Sequence, residues 1–460
     1  MERRHPAVDI PLTTKGGKGE MTKAPVSLQE LRKRIYIKAK ADKTWRFWGL
    51  YVHVCKSEVL QAAYEMAKQN NGAPGIDGVT FEAIEEMGRE AFLEDIQNEL
   101  LSGTYRPSRN RKKEIPKGGG KVRTLGIPTI RDRVAQMACV AVLGPVFEAD
   151  LPPEQYAYRP QRSALDAVRR VHSLLNTGHT QVVDADLSGY FDSLPHTELM
   201  KSVARRISDR HVLHLIKMWL EMPVEEEDER GRKRRTTRNK DEHRGTPQGA
   251  PISPLLSNLY MRRFVLGWKQ LGHEQRLRAF LVNYADDFVI CCRGTAQQAT
   301  TAMRNMMARL KLTVNEAKTR ICRVPDEAFD FLGYTIGRCY STQTGRSYIG
   351  TRPSRKRIAR LCQAVSEMTQ RRWLGLDVQE RVTHLNRMLV GWANYFCLGP
   401  VSRAYRAIDA HVRHRLRWWL CGKHKVAGRG TARYPDEYLY DVLGLVRLER
   451  CTRRLPWAKA

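Results

Sequence analysis

One short segment constrains the fold of this chain most: Phe280-Leu-Val-Asn-Tyr-Ala-Asp-Asp-Phe-Val-Ile-Cys-Cys292. Two apolar runs flank Ala285-Asp286-Asp287. Runs joined by so short a polar link predict a β-hairpin. The link sets two adjacent carboxylates on a tight turn. Like charges so placed repel, and the pair is costly unless a cation lies beside it. Taken alone, an Asp-rich turn needs no metal.

A second segment shifts that balance. Gln181-Val-Val-Asp-Ala-Asp-Leu187 has the make-up of a strand. Its alternation puts Asp184 and Asp186 on one face, where a plain core strand carries apolar residues. It leads into Ser188-Gly-Tyr-Phe-Asp192, and Asp192 or Ser193 is expected to cap the helix that follows Pro195. Two aspartate-bearing strands can place three oxygen ligands around two Mg²⁺ ions about 3.5–4 Å apart, as in-line phosphoryl transfer requires. Mn²⁺ can replace Mg²⁺ at such sites. Hard carboxylate oxygens suit these ions better than the scattered thiols and histidines do.

Charge points the same way. Against 49 Asp and Glu stand 79 Lys and Arg, a net +30 over 460 residues. A soluble domain needs only about 2–8 net charges. The excess draws the chain towards a polyanion, most commonly nucleic acid. The longest apolar stretches, such as Met137–Phe147, are too short to span a bilayer. Residues 1–20 lack an apolar signal core. The expectation is a cytoplasmic protein, away from membranes and in contact with RNA or DNA. Ten cysteines lie scattered with no C-x-x-C pair, and most sit in apolar runs as buried thiols would. Cys421 and His424 have ligand spacing but no second pair, so no zinc site is expected.

The chain divides by composition. Residues 1–26 form a Pro-, Gly- and Lys-bearing tail, with Met21 an alternative start. Residues 27–68 are helical and basic, 71–78 are rich in turn formers, and 81–101 suggest one acidic amphipathic helix. From 109 to 337 short apolar strands alternate with helices, an α+β pattern. Within it Glu225–Arg244 is almost wholly charged and suggests a solvated hairpin or loop. From Arg352 onward the pattern is helical. Residues 351–460 hold 23 Lys/Arg and 8 Asp/Glu, half the total positive excess. Val382, Leu385, Leu389, Trp392 and Phe396 recur at helical spacing, as do Tyr405, Ile408, Val412, Leu416 and Trp419. Arg406, Arg413 and Arg417 share another face of that second helix, and so dense a stripe favours phosphate contact.

These segments resemble the reverse transcriptases of group II introns. Tyr284-Ala-Asp-Asp287 resembles the family's Y-x-D-D signature, and Asp186-Leu-Ser-Gly-Tyr-Phe191 its first carboxylate motif. Gly245-Thr-Pro-Gln-Gly-Ala-Pro-Ile-Ser-Pro-Leu-Leu-Ser-Asn258 resembles its P-Q-G block. Further matches run from about Asn70 to Trp392. They include Ile115-Pro-Lys117, Lys121-Val-Arg123, Tyr158-Arg-Pro-Gln-Arg-Ser163 and Phe331-Leu-Gly-Tyr334. Leu389-Val-Gly-Trp-Ala-Asn-Tyr-Phe396 resembles the maturase thumb, domain X, with Val390 where the family often has Arg.

The resemblance implies a right-hand polymerase: α+β fingers and palm with an antiparallel palm sheet, then a helical thumb. Residues 27–105 would be an N-terminal extension and the start of the fingers. Residues 106–340 would form fingers and palm, 351–425 the thumb, and 426–460 a short basic C-terminal segment. Asp186 and Asp286 would be the principal metal ligands, Asp287 a third, and the Leu187 carbonyl would also face a metal. Lys117 and Arg123 would contact the incoming triphosphate. Phe191 would gate the sugar, selecting deoxynucleotides. Gln248 and Gly249 would lie beside the nascent base pair, and Lys318 would protonate pyrophosphate. Expected partners are the group II intron RNA, an RNA template with its DNA primer, dNTPs and target DNA; oligomeric state is left open. The chain has no C-terminal His-Asn-His pattern, which implies an endonuclease-lacking, class C-like type. The alternatives are a reverse transcriptase of retron, diversity-generating or CRISPR-associated lineage, a nucleotidyltransferase using ribonucleotides, and a catalytically silent RNA-binding splicing factor.

Overall fold

The computed structural model describes residues 26–118, 121–227 and 233–451. The expected N-terminal tail up to residue 25, and residues 452–460, lie outside the described residues. Among the described residues the strands are β1 (Asn110–Gly118), β2 (Lys121–Ile127), β3 (Gln181–Asp186), β4 (Val224–Glu227), β5 (Lys233–Thr236), β6 (Ala279–Tyr284), β7 (Asp287–Cys292), β8 (Arg320–Arg323), β9 (Phe329–Phe331), β10 (Tyr334–Tyr340) and β11 (Ser347–Pro353). They form three sheets, ordered β6-β7-β3-β8, β2-β1-β4-β5 and β11-β10-β9.

The first of these is antiparallel throughout. Its hairpin β6–β7 turns at Ala285, which takes φ +57°. Both faces of the sheet are covered, so its strands are apolar on both sides. Val183, Leu281, Phe288 and Ile290 join the core that contains helix Ser253–Gln270, where Phe264 meets Phe288 at 5.3 Å between ring centres. Val182, Val282, Val289 and Cys291 join a second core, closed by Val168, Val171 and Leu175 of helix Ala164–Asn176. Along that second face the side chains change from apolar to acidic towards the turn.

The fingers sheet explains the charged stretch after Glu225. Strand β4 lies parallel to β1, and β5 turns back beside β4. Acidic β4 residues therefore meet basic residues on β1 and just before it: Arg109 lies 2.5 Å from Glu225, and Lys112 lies 3.0 Å from Glu226. Across the hairpin Glu225 pairs with Arg235 and Glu226 with Arg234. Of the solvated hairpin or loop expected, β4 and β5 do pair as a hairpin, but the acidic arm is joined to β1 in the sheet and is not solvated. The single helix expected over 81–101 is two, Phe81–Met87 and Arg89–Ser102. Gly88 adopts φ +108°, which ends the first and starts the second.

Helix Ile130–Glu148 is buried on nearly every side, so its apolar stretch is core. Arg133 on this helix donates to the carbonyls of Gly72 and Ala73, tying down the turn-rich break. C-terminal to the sheets, helices Arg355–Met368, Val378–Tyr395 and Ser402–Lys423 share a core of their own. Both predicted stripes meet there, through Val382, Leu385 and Leu389 on one helix and Ile408, Val412, Leu416 and Trp419 on the other. Phe396 and Leu398 instead enter the second core of the palm. No described helix is long and apolar enough to cross a membrane.

Candidate active site

Strand β3 lies between β7 and β8, and its register sets Asp186 directly opposite Asp287. Opposed residues of an antiparallel pair have Cα atoms ~4.5–5.5 Å apart and side chains on one face. Asp184, two residues back, shares that face. Asp286 sits on the turn, whose shape is held by the buried Asn283: its Nδ2 donates to the Ala285 carbonyl at 2.8 Å. Residues 100 positions apart in the chain thus come together through one ladder.

Three more groups converge on Asp186. Lys318 Nζ lies 2.7 Å from Oδ2 and Asn315 Nδ2 lies 3.1 Å from the same atom. The Asn315 amide donates to the Asp186 carbonyl at 2.8 Å, and the Ser188 amide to the Thr313 carbonyl at 2.9 Å. Carbonyls alternate sides along a strand, so the Leu187 carbonyl points the other way, towards the side of the 286–287 turn. A cleft of about 230 Å³ opens here, lined by Asp184, Asp186, Asp287, Lys318, Asp330, Gly333 and Arg357. Burial, then the charges of Asp286, Asp186 and Asp184, push Asp287 up to about 7. Its side chain is exposed and lines this cleft. Burial likewise pushes Asp184 up to about 6, opposed by Arg320 at 3.6 Å.

The donor set fits divalent cations. Several hard carboxylates crowd a cleft in which Lys318 lies 2.7 Å from Asp186, and burial, with their repulsion added, raises the proton affinity of Asp287. Among the described residues no three His, Cys, Asp or Glu side chains are already closed around one point. Asp186 is turned towards Lys318 and Asn315 instead, so a cation would have to take over that carboxylate.

The remaining expected residues surround this cleft. Phe191 is half-buried, with its ring edge-on to Tyr190 at 5.7 Å. Its carbonyl accepts from the Thr246 amide at 2.8 Å, which docks the 245–251 loop beside it. The other side of that loop docks on the fingers. The Gly126 amide donates to the Gln248 carbonyl at 2.9 Å, and a Cβ on Gly249, at φ +116°, would lie 3.3 Å from the Gly126 carbonyl oxygen. Asp192 does not cap the next helix, which starts after Pro195 with no side-chain cap. It accepts from Gln248 Nε2 at 3.0 Å instead, because Gln248 folds back over that segment. Arg123 is exposed on β2. The side chain of Lys117, on β1, lies outside the described residues.

Tyr158 is a residue that sequence reasoning quoted without a role. Burial first, and then the charge of Asp286, push its hydroxyl up, while Arg123 pulls it down. Asp330 and Arg357 were also missed. Arg357 belongs to a basic helix start that looks in sequence like any solvated one. On helix Ser402–Lys423, Arg413 pairs with Asp436, Arg417 lies 2.7 Å from Asp436, and Arg406 lies 3.9 Å from Glu449.

Comparison with known proteins gives the family. Residues 115–336 match the family described as Reverse transcriptase (RNA-dependent DNA polymerase), whose members use divalent metal ions. Residues 358–435 match the Group II intron, maturase-specific domain. Protein YkfC of Escherichia coli (strain K12) is 33% identical over 72% of this chain and 93% of its own length. The group II intron-encoded protein LtrA of Lactococcus lactis subsp. cremoris is 26% identical over 63% of this chain, which spans only 57% of that relative. A solved telomerase from Candida albicans, in complex with a fragment of telomeric RNA, covers 83% of this chain and 69% of its own. At 11% identity and a TM-score of 0.41 that likeness is too loose to argue from. The four-stranded sheet that carries the aspartates falls within the first match and most of the core of the C-terminal helical domain within the second: the chain belongs to the reverse transcriptases, RNA-dependent DNA polymerases, of the group II intron type that carries a maturase-specific domain.

Proposed function

We propose that Asp186, Asp286 and Asp287 form the catalytic centre of this polymerase, extending a DNA primer on an RNA template from dNTPs. The observation that carries this is the register that sets Asp186 opposite Asp287, with Asp286 on the adjoining turn. Asp186 and Asp286 would be the principal ligands of two Mg²⁺ ions, for which Mn²⁺ can substitute; Asp287 and the Leu187 carbonyl complete the set. When bound, the ions supply an acidified primer hydroxyl and charge to stabilise the leaving pyrophosphate.

The chain's own residues do the rest. Arg123, with Lys117, offsets charge on the triphosphate as it redistributes. Lys318, held at the cleft by Asp186, is placed to hand a proton to pyrophosphate once a cation claims that carboxylate. Phe191 packs under the sugar and leaves no room for a 2′-hydroxyl. The Gln248–Gly249 backbone lies where close approach to the new base pair needs glycine. The maturase-specific domain binds the intron RNA, and target DNA supplies the primer.

Primer extension on an RNA template, with the full chain and Mg²⁺, tests this. Asp186→Asn and Asp286→Asn are each expected to cut the rate by about a hundredfold or more. Phe191→Ala should admit ribonucleotides while still extending with dNTPs. No product from well-folded wild type would sink the polymerase assignment and favour the silent splicing factor. Unchanged sugar discrimination in the Phe191 variant would sink the gate.

A further inference from the structure

Two sets of arginines on the maturase-specific domain differ in their neighbours. Those on the Arg406–Arg417 face have acidic neighbours, as described above. On another face of the same helix, and on the turn Arg371–Trp373 beside it, the arrangement is different. Trp418 is 40% exposed, with the Arg371 guanidinium 5.8 Å and the Arg415 guanidinium 4.8 Å from its ring centre. Trp373 is 38% exposed, with Arg372 at 5.2 Å and Arg381 at 5.7 Å.

Among the described residues no carboxylate lies within 4.0 Å of any of the four guanidiniums. Arg415 is fixed by uncharged groups, donating to Thr369 Oγ1 at 3.0 Å and to the Ser366 carbonyl at 2.9 Å. Arg381 is only 5% exposed, and its Nε has no hydrogen-bond partner. Asp377, four residues before it, is engaged in capping, accepting from the Glu380 amide at 3.0 Å. A nearly buried guanidinium with no anion is costly, and one beside an exposed aromatic ring suits a ligand that is both anionic and planar.

We infer that Trp373 and Trp418, with Arg371, Arg372, Arg381 and Arg415, form a binding site for unpaired RNA nucleotides. The indoles stack bases, the exposed Arg371 and Arg372 meet the phosphates between them, and Arg381 and Arg415 add positive charge behind the rings. Helix Arg355–Met368 has 14 residues and starts beside the cleft, so the site lies about 20 Å from it. It is therefore a hold on RNA at a distance from the aspartates. The inference rests on the proposed role of this domain in binding RNA. All six residues lie within its matched span, 358–435.

The test uses the full chain with its cleft saturated by an unlabelled template–primer. Affinity is then measured for a labelled single-stranded oligoribonucleotide, for the matching RNA duplex, and for a polyglutamate peptide. Trp373→Ala with Trp418→Ala should weaken single-strand binding by roughly tenfold per tryptophan and leave duplex binding little changed. Trp373→Phe with Trp418→Phe should keep most of it. Arg371→Glu with Arg372→Glu, at exposed positions that the fold does not need, should weaken binding and flatten its salt dependence. Primer extension should persist in all three variants. Single-strand affinity equal to wild type in both the Ala and the Glu variants would overturn the site while leaving the polymerase assignment standing. Polyglutamate bound as tightly as RNA, and lost with the same substitutions, would make this a protein-docking face and overturn the RNA assignment.

Discussion

Crowding among Asp184, Asp186, Asp286 and Asp287 makes the cleft answer to protons and cations alike. The folded state holds a proton on Asp287 up to about pH 7, while the unfolded chain releases it in the ordinary carboxylate range near 3.8. The contribution to stability is therefore complete below that ordinary range and fades as pH rises through about 7. Metal-free protein should melt at lower temperature at about pH 8 than at about pH 5, and Asp287→Asn should flatten that trend. Added Mg²⁺ should raise the melting temperature more at the higher pH, where protons no longer compete for the ligand. Equal Mg²⁺ shifts at both values would argue against Asp287 as a ligand. The aspartates themselves were legible because a strand that alternates apolar residues with carboxylates has no structural reason to do so. Lys318 was legible as a residue, but not its bond to Asp186, because sequence carries no signal for a contact across 132 positions. Arg406, Arg413 and Arg417 were legible as a stripe. Their acidic neighbours, Asp436 and Glu449, lie in a later segment whose placement no periodicity reveals.

Among elements, the 245–251 loop is the joint that sets fingers against palm. It bonds to the Phe191 carbonyl on one side and to β2 at Gly126 on the other. Gly249→Ala would force a Cβ to within 3.3 Å of the Gly126 carbonyl oxygen, at a φ of +116° that side chains rarely adopt. The expected result is primer extension slowed by roughly tenfold, with melting temperature little changed, because the strain falls on an edge of the sheet. A loss of folding instead would show that the loop is structural first. Hairpin β6–β7, strand β3 and the thumb helices were readable from periodicity. Less readable were the break at Gly88 and the pairing of β4 with β1. A glycine inside an amphipathic pattern is as often tolerated as not. A charged strand next to charged strands looks like a solvated loop until its partner is known.

For the whole molecule, the important joint is between palm and thumb. The Tyr334 hydroxyl donates to the Tyr395 carbonyl and accepts from the Cys397 amide at 3.1 Å. The Tyr395 hydroxyl returns a bond to the Leu332 carbonyl at 2.8 Å. Phe396 and Leu398 lie inside the palm-side core. Cutting the chain near residue 350 should therefore leave an aggregation-prone polymerase fragment, its aromatic pocket emptied. A monomeric, active fragment would contradict this. Neither the length of the chain nor its composition announced this seam, because both parts have the look of independent domains. Two units that share side chains in one core cannot swing freely. The distal helices are anchored at Tyr334, next to Leu332 and Gly333 in the cleft wall, so a load on those helices would be passed straight to the strands that frame the acidic cleft.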